Sequence, residues 1–327
     1  MTSAITRRSI LMSSGAAAAA LMTPRAFADS YPTRAITFIV PYTAGGGTDV
    51  AARLVAPALS DTLKQPVLVV NKPGAGSIIG IQYAAHAEPD GYTLLFTACD
   101  GMVMDPAMYE DLPYDTAKDF IPITDVMTFP LFLIVRADSP IRTVRDLVDQ
   151  IKAHPEKANY ASSSAVFWLG SELFLQKAGA HATRVPYKGA GDMVAAVLQG
   201  QVLFALPSPP PTLGQAKSGG IRILATTAPA RLPALPNVPT MAEAGIQDVV
   251  ITDWSGMWAP AKTPQLIINT LNAAMRQVLA RADIHKTADA LSLGIAGASV
   301  EGIRDKMAAD LELWKKVAEA ANIKVKL

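Results

Sequence analysis

The stretch "FIVPYTAGGGTDVAARL", from Phe38 to Leu54, places three consecutive glycines between an apolar segment and a helical pattern. Glycines let a ligand approach the backbone closely, and the first amides of a helix are free to donate toward an anion. The spacing fits neither the Gly-x-Gly-x-x-Gly nor the Gly-Lys-Ser/Thr phosphate loop. The residues therefore predict a site for a small anion, a carboxylate as readily as a phosphate, or else a tight turn capped by Thr48 or Asp49.

Three further segments carry groups that could contact a ligand. The segment "NKPGAGSIIG" (71–80) is a second glycine-rich loop after a strand, and it suits a structural turn equally well. In "YASSSAVFWLG", a strand is followed by hydroxyl groups that are good donors to a carboxylate, on Ser162, Ser163 and Ser164. In "FTACDGM", Asp100 could pair with a cationic or hydroxyl group of a ligand, or it could lie in a solvated loop.

Catalytic and metal-binding patterns are missing from the sequence. Cys99 follows a strand, where a nucleophile could lie, but a lone thiol without a nearby histidine is more typical of a small buried residue. No Gly-x-Ser-x-Gly elbow occurs. The scattered histidines have no metal-ligand spacing: His86, His154, His181 and His285. We therefore expect no catalytic residue, no metal and no cofactor.

Composition narrows the class of protein. The chain has 327 residues, half of them apolar, and a formal net charge of +1. This length predicts one large domain or two of medium size. A nearly neutral chain lacks the basic footprint of a nucleic-acid-binding protein. Cys99 is the single cysteine, so the core must provide stability without an intrachain disulfide.

The N-terminus has the pattern of an export signal. Arg7 and Arg8 precede an apolar run, Ile10 to Met22, and "AFA" offers a cleavage site after Ala28. The run is shorter than the ~20 apolar residues that a membrane-spanning helix needs. We predict a signal peptide over 1–28, by the twin-arginine or the ordinary secretory route, and a periplasmic protein. The alternative is a cytosolic protein with a frayed, alanine-rich tail.

Short apolar runs alternate with helical patterns along the rest of the chain, which predicts parallel α/β units with strands buried on both faces. The predicted strands are 35–42, 66–71, 91–98, 130–137, 158–163, 202–207, 221–228 and 249–260. A helix is predicted over 171–179, and the chain after Pro264 reads as helical. We predict two lobes with a cleft between them, lobe 1 formed by 29–127 plus 254–327 and lobe 2 by 128–253.

In this order, several segments resemble the Bug family of periplasmic solute receptors, which serve tripartite tricarboxylate transporters. They are "YPTRAITFIVPYTAGGGTDVAARL", "VVNKPGAGSIIG", "AEPDGYTLLFT", "LPYDTAKDFIPIT", "VPYKGAG", "GIRILATTAPARLPALPNVPTMAEAG" and "WSGMWAPAKTP". The resemblance implies an α/β fold similar to type II periplasmic binding proteins, closing on a small carboxylate. It also implies that the carboxylate is held by the first glycine loop, here Tyr42, Thr43, Ala44, Gly45, Gly46, Gly47, Thr48 and Asp49.

The second lobe departs from the family pattern. Its loop "YASSSAVFWLGSE" lacks the internal glycines, is about two residues shorter, and has Trp168 where the family has a histidine. In "VPYKGAGDMVAAV", Asp192 replaces the usual proline. We therefore expect a larger or aromatic acid, or a ligand with a positive group near Asp100 or Asp192. The remaining predicted ligand-binding residues are Cys99, Ser162, Ser163, Ser164, Ala165, Lys188 and Gly189.

The leading hypothesis is a receptor without enzymatic activity, which binds a small organic, aromatic or amino acid and delivers it to a membrane permease. We expect a monomer that binds no nucleic acid. One alternative is an exported α/β hydrolase using Cys99 or a serine of 162–164. Another is a receptor that signals to a membrane sensor, whose partner would bind the same closed surface.

Overall fold

The computed structural model describes residues 31–320 and 322–326. The signal peptide predicted over 1–28 lies outside these residues. Within the two described ranges, no helix combines the length and the apolar character needed to cross a membrane.

The described chain contains eleven strands, which the alternating apolar runs largely anticipate. They are β1 (Ile36–Val40), β2 (Val67–Asn71), β3 (Thr93–Ala98), β4 (Phe120–Pro130), β5 (Phe132–Arg136), β6 (Asn159–Ser162), β7 (Thr183–Pro186), β8 (Phe204–Ala205), β9 (Ile221–Thr226), β10 (Thr252–Pro260) and β11 (Gly294–Ile295). Three of them, β4, β7 and β11, were not predicted. β4 contains Pro122 and Pro130, and proline within an apolar run argues against a strand, so the sequence pattern did not predict β4.

The same part of the chain forms ten α-helices. They are α1 (Gly47–Leu63), α2 (Ile78–Ala85), α3 (Asp105–Met108), α4 (Val144–Ala153), α5 (Ala165–Ala178), α6 (Ala190–Leu198), α7 (Pro209–Lys217), α8 (Gln265–Leu279), α9 (Ala282–Ala290) and α10 (Val300–Ala320). α1 runs through Pro57 as one element. The helix predicted over 171–179 begins earlier, at Ala165, directly after the serine loop.

The described strands form two sheets. The first has the order β11-β4-β10-β3-β1-β2, and the second has the order β7-β6-β8-β5-β9. The prediction of parallel units holds for β2-β1-β3 and for β7-β6-β8. The prediction is wrong for the other pairs, which are antiparallel. They are β3-β10, β10-β4 and β4-β11 in the first sheet, and β8-β5 and β5-β9 in the second.

The chain passes between the sheets twice. It leaves β4 at Pro130 and enters β5 at Phe132, with Leu131 between them, and it returns from β9 to β10. The strands of the first sheet therefore come from both ends of the described chain, and those of the second sheet come from its middle. The lobe boundaries predicted at 127/128 and 253/254 stay a prediction.

Two apolar clusters hold the layers together. Along β1, Phe38 and Val40 point into a cluster with α1 and α8, and Ile39 points to the opposite face, as the two-residue period of a strand requires. The second cluster continues from that face into the second sheet, where Phe132 and Phe204 are fully buried. This continuous packing brings the strand ends of both sheets to the same space.

Candidate functional site

Asp49 supports the glycine loop from behind. Its carboxylate accepts hydrogen bonds from the Gly45 amide at 2.8 Å, the Asn71 side-chain amide at 2.8 Å and the Arg53 guanidinium at 3.1 Å. Gly45 has a φ of +83°, a conformation that favours glycine. Both carboxylate oxygens of Asp49 are thus occupied within the protein, so this predicted ligand residue braces the loop instead of lining the cleft.

The amides at the start of α1 line the space between the lobes. The Gly47 amide donates to the Ser208 hydroxyl across this space, at 3.2 Å. The amides of Gly46 and Thr48 have no acceptor among the described residues. Since the start of a helix carries about half a positive charge, these two donors favour an anion.

The three serines at the end of β6 have different surroundings. Ser162 is fully buried, and its hydroxyl accepts from Arg184 Nε at 3.4 Å. The Ser163 hydroxyl donates to the sulfur of Met193 at 3.3 Å. The Ser164 hydroxyl is buried and has no partner within the described ranges. Ser163 and Ser164 line the cleft, whereas Ser162 lies behind them.

A small inner cavity lies where these groups meet. Its volume is about 30 Å³, and Tyr42, Gly46, Ser164 and Phe129 are among the residues that line it. This is room for about two water molecules. The lobes touch at its rim, because a Cβ atom at Gly189 would lie 1.8 Å from Thr43 Oγ1. Gly189 therefore permits a close approach that a larger residue would prevent.

A wider outer cavity lies next to the inner one. Its volume is about 550 Å³, and it shares Tyr42, Ser163 and Ser164 with the inner cavity. Trp168 and Arg184 form part of its wall. The two cavities lie side by side in the cleft, a narrow inner one and a broad outer one, and ligand sites in proteins are commonly clefts of this kind.

Asp100 is a buried acid on the inner wall. The Tyr42 hydroxyl and the Gly101 amide donate to its Oδ1, the latter at 2.7 Å. No hydrogen bond to its Oδ2 is formed among the described residues. The Ser164 hydroxyl lies nearby and, by stabilising the carboxylate, acts to lower the pKa of Asp100. Burial outweighs these donors and raises the pKa of Asp100.

Cys99 lies behind the cavity wall. Its thiol is buried and donates to the Asp253 carboxylate at 3.1 Å. Burial, followed by the negative charge of Asp253, raises the pKa of the thiol well above its usual range. A reactive cysteine needs a lowered pKa, so the environment of Cys99 is that of an inert thiol.

The histidines that a hydrolase would need are elsewhere. Among the described residues that line the two cavities there is no histidine, and all four are exposed on the surface: His86, His154, His181 and His285. Ser164 therefore has no imidazole base within reach. This geometry gives the hydrolase alternative no support.

The structure brings most of the predicted site residues together. Nine of them line the inner cavity, namely Tyr42, Thr43, Gly46, Gly47, Thr48, Asp100, Ser163, Ser164 and Gly189. Ala165 and Lys188 line the outer cavity. Six do not line either cavity: Ala44 and Gly45 are exposed on the loop, Asp192 is exposed on α6, and Asp49, Cys99 and Ser162 are buried behind the walls.

Sequence reasoning missed several residues that line the cleft, and four of them matter for its shape and charge. Phe129, Ser208 and Asp253 line the inner cavity, and Arg184 lines the outer one. A signal existed for Arg184, a charged residue inside the short run that leads to "VPYKGAG". Ser208 and Asp253 come to the glycine loop and to Cys99 from positions 161 and 154 residues away, and no local pattern announces such contacts.

Comparison with known proteins decides the family. Residues 51–322 match the model of the TctC family, described as the tripartite tricarboxylate transporter family receptor. The chain belongs to this receptor family.

Individual TctC relatives agree over nearly the whole chain. Protein BugT of Bordetella pertussis is 33% identical over 302 residues, which is 91% of this chain and 93% of BugT. The periplasmic binding protein BugD superposes with a TM-score of 0.86 at 30% identity, covering 91% of this chain and 100% of that structure. An R. palustris protein solved with adipate gives a TM-score of 0.87 at 31% identity, with coverage of 91% and 100%.

These matches confirm the resemblance read from the sequence motifs. They also establish the two-lobed fold of periplasmic binding proteins for this TctC receptor. The family consists of receptors, which agrees with a cleft where polar groups from both sheets converge.

Proposed function

We propose that this chain is a periplasmic receptor that holds a small carboxylate between its lobes and presents the closed form to the permease of a tripartite transporter. The amides of Gly46 and Thr48 and the hydroxyl of Ser164 would donate to the carboxylate. One observation supports this proposal: these donors come from both lobes and reach one cavity, where the two amides have no acceptor among the described residues and the Ser164 hydroxyl has only the Asp100 carboxyl group near it.

Such a site explains why binding would be linked to closure. A carboxylate at the inner cavity would contact α1 of one lobe and the serine loop of the other, so it would bind the closed form better than the open form. The permease then needs to recognise only the closed surface. A membrane sensor could read the same surface, and we infer a permease because the family serves transporters.

The remaining parts of the proposal concern processing and organisation. We infer export by the signal peptide 1–28, cleavage after Ala28, and a monomeric receptor. We also propose that the lobes divide as 29–127 plus 254–327 and 128–253, because the chain crosses between the sheets next to both boundaries.

The first experiment is calorimetric titration of the purified protein with straight-chain diacids including adipate, with matched monoacids, and with aromatic and amino acids. Adipate is included because a relative was solved with it. We expect saturable binding of at least one carboxylate. Failure of every carboxylate to bind the intact, folded protein would overturn the proposed function.

Gly46→Pro tests the role of the glycine loop. Gly46 has a φ of −73°, which proline can adopt, so the substitution removes the amide hydrogen without requiring a new φ at this position. A charge-assisted hydrogen bond contributes roughly 1.5–3 kcal/mol, so affinity should fall by about 10- to 100-fold in the same titration.

The matched control is Gly46→Ala, which keeps the amide. A Cβ atom there would come no closer than 3.8 Å to its nearest neighbour, Thr43 O. We expect this variant to retain more affinity than Gly46→Pro. Equal affinities for Gly46→Pro and the unsubstituted protein would show that the Gly46 amide does not bind the ligand.

A further inference from the structure

The inner cavity is too small for a whole organic acid. Its volume of about 30 Å³ holds about two water molecules, whereas ligand sites usually enclose about 300–1,000 Å³. The outer cavity, at about 550 Å³, has the necessary size. A ligand whose carboxylate lies at the glycine loop must therefore extend its remaining atoms into the outer cavity, where the wall includes Arg184, Trp168 and Lys188.

Arg184 is held in place but has unused donors. Its guanidinium lies over the Trp168 ring at 3.8 Å from the centroid, and its Nε donates to the Ser162 hydroxyl at 3.4 Å. Within residues 31–320 and 322–326, neither of its terminal nitrogens has an acceptor, and no carboxylate is close enough to form a salt bridge with it. Arg222, also partly buried, shows the usual alternative, because its terminal nitrogens donate to the carbonyls of Ile141 and Ala137.

An unpaired, half-buried cation is costly unless an anion accompanies it. Burial lowers the pKa of the Arg184 guanidinium, as expected for a cation that loses water. The Glu172 carboxylate opposes this shift without reversing it and is too far away to form a salt bridge with Arg184. Its planar fork suits a carboxylate better than an ammonium group would. Lys188 adds positive charge to the same wall and is exposed.

The opposite wall does not cancel this charge. Asp105 also lines the outer cavity, but it is buried against the hydroxyls of Ser77 and Tyr114. Burial, with the nearby Asp100, raises the pKa of Asp105 well above its usual range, which favours its neutral form. Tyr109 lines this wall as well and carries no charge at neutral pH.

We propose that Arg184, held by Trp168, is a second anion subsite that binds the distal acidic group of the ligand. This inference rests on the proposed function, because the first carboxylate must occupy the glycine loop. The preferred ligand would then carry two acidic groups, one in each cavity. Arg184 would discriminate a diacid from a monoacid with the same carbon chain.

The test compares adipate with hexanoate, which have equal chain lengths and differ in the distal carboxylate, and extends to the shorter and longer diacids with their matched monoacids. We expect the best diacid to bind at least about 10-fold more tightly than its matched monoacid. Arg184→Gln should lower the affinity for that diacid by about 10- to 100-fold and leave the affinity for the monoacid unchanged.

Two further variants separate a lost contact from a lost charge. Arg184→Lys keeps the charge and loses the fork, so its affinity for the diacid should fall between those of the unsubstituted protein and Arg184→Gln. Arg276→Gln removes an exposed arginine of α8 and should leave both affinities unchanged. Thermal unfolding of each variant checks that the fold is intact.

The outcomes distinguish this inference from the function on which it rests. If diacid and monoacid bind equally, or if Arg184→Gln lowers both affinities by the same factor, the subsite is wrong and the carboxylate receptor stands. If no carboxylate of any length binds the folded protein, the proposed function fails and the subsite fails with it.

Discussion

Asp125 and Asp105 are both buried aspartates, yet their surroundings are opposite. Asp125, in β4, accepts from the amides of Gly297 and Ala298 at 3.0 and 2.7 Å and from Lys306 Nζ at 2.9 Å. Burial opposes its ionisation, but these donors outweigh burial and lower its pKa. Asp105, on the cleft wall, has only the hydroxyls of Ser77 and Tyr114 and no cation, so its pKa is raised.

The difference separates the parts of the molecule that hold the fold from those that face the ligand. At Asp125 every strong donor is supplied by the protein, and the cluster ties β4 to the segment before α10. In the cleft, some polar groups have weak or no partners within the described residues: the Ser164 hydroxyl and Asp100 Oδ2 have only each other nearby, and the terminal nitrogens of Arg184 have no acceptor. Buried polar groups normally have partners, so these cleft groups fit a site completed by a ligand, although Ser139, Ser255, Trp258 and Ser292 also carry buried side-chain atoms without a partner in the described part of the chain.

The largest effect is expected where the paired cluster is broken. Asp125→Ala removes the acceptor of two amides and leaves Lys306 without its partner, so it should reduce the free energy of unfolding by about 2–4 kcal/mol at pH 7. Because the pKa of Asp125 is lowered in the folded state, its carboxylate stabilises the fold above the ordinary pKa of 3.8, and this stabilisation disappears as the pH falls through the folded-state pKa. The stability difference between Asp125→Ala and the unsubstituted protein should therefore shrink toward pH 2.

Urea unfolding of the unsubstituted protein and of Asp125→Ala at pH 7 and at lower pH measures this effect. Asp149→Ala, which removes an exposed carboxylate on α4, is the control and should change stability little. A loss of similar size in both variants would show that the Asp125 cluster is not a special source of stability.

An opposite and smaller effect is expected at the cleft. Asp105→Asn replaces a buried acid without a cation by a neutral side chain of the same shape, so it should raise the free energy of unfolding by about 1–2 kcal/mol at pH 8. Because the pKa of Asp105 is raised in the folded state, this residue does not reduce the free energy of unfolding below the ordinary pKa of 3.8, where it is protonated in both states. The destabilisation grows as the pH rises from there toward the folded-state pKa. The gain should therefore disappear near pH 3.

The same unfolding series at pH 3, 5 and 8 decides the sign. The comparison between the regions predicts that Asp105→Asn gains stability with rising pH, whereas Asp125→Ala loses it. A destabilised Asp105→Asn that worsens toward pH 8 would mean that the Asp105 carboxylate is stabilised by the fold, and the contrast between the two regions would be wrong.

The smallest effect is expected for a neutral contact across the cleft. Ser208→Ala removes the acceptor of the Gly47 amide, and one uncharged hydrogen bond contributes about 0.5–1.5 kcal/mol. We expect a loss of this size in urea unfolding, together with a more open average shape in small-angle X-ray scattering. Ser218→Ala, at the exposed end of α7, is the control and should change neither measurement.

Local patterns predicted much of the fold. Thr143 and Asp146 have the residue types and spacing that predict a capping box, and this box forms at the start of α4. The reciprocal bonds of Thr240 and Glu243 also form, although that segment stays a turn. The misses have local causes as well, because proline obscures a periodic pattern: α7 begins with Pro209, Pro210 and Pro211 and was not predicted.

The candidate site was predicted unevenly. The glycine loop was recognisable because an anion site at a helix start depends on adjacent residues and their spacing alone. Asp49 and Ser162 were assigned to the ligand because the sequence shows residue type and not direction. The structure turns Asp49 toward Asn71 and Ser162 toward Arg184, so both support the cleft from behind.

The amino-acid sequence alone determined that a strand leads through a glycine loop into a helix, and its ordered motifs identified the receptor family. Only the tertiary structure decided that Ser208 crosses to Gly47, that Asp253 holds Cys99 and that Arg184 faces the outer cavity with unused donors. The reason is physical. Amide donors at a helix start follow from neighbouring residues, whereas burial, charge pairing and the shape of a cleft depend on residues that meet only after two sheets have packed together.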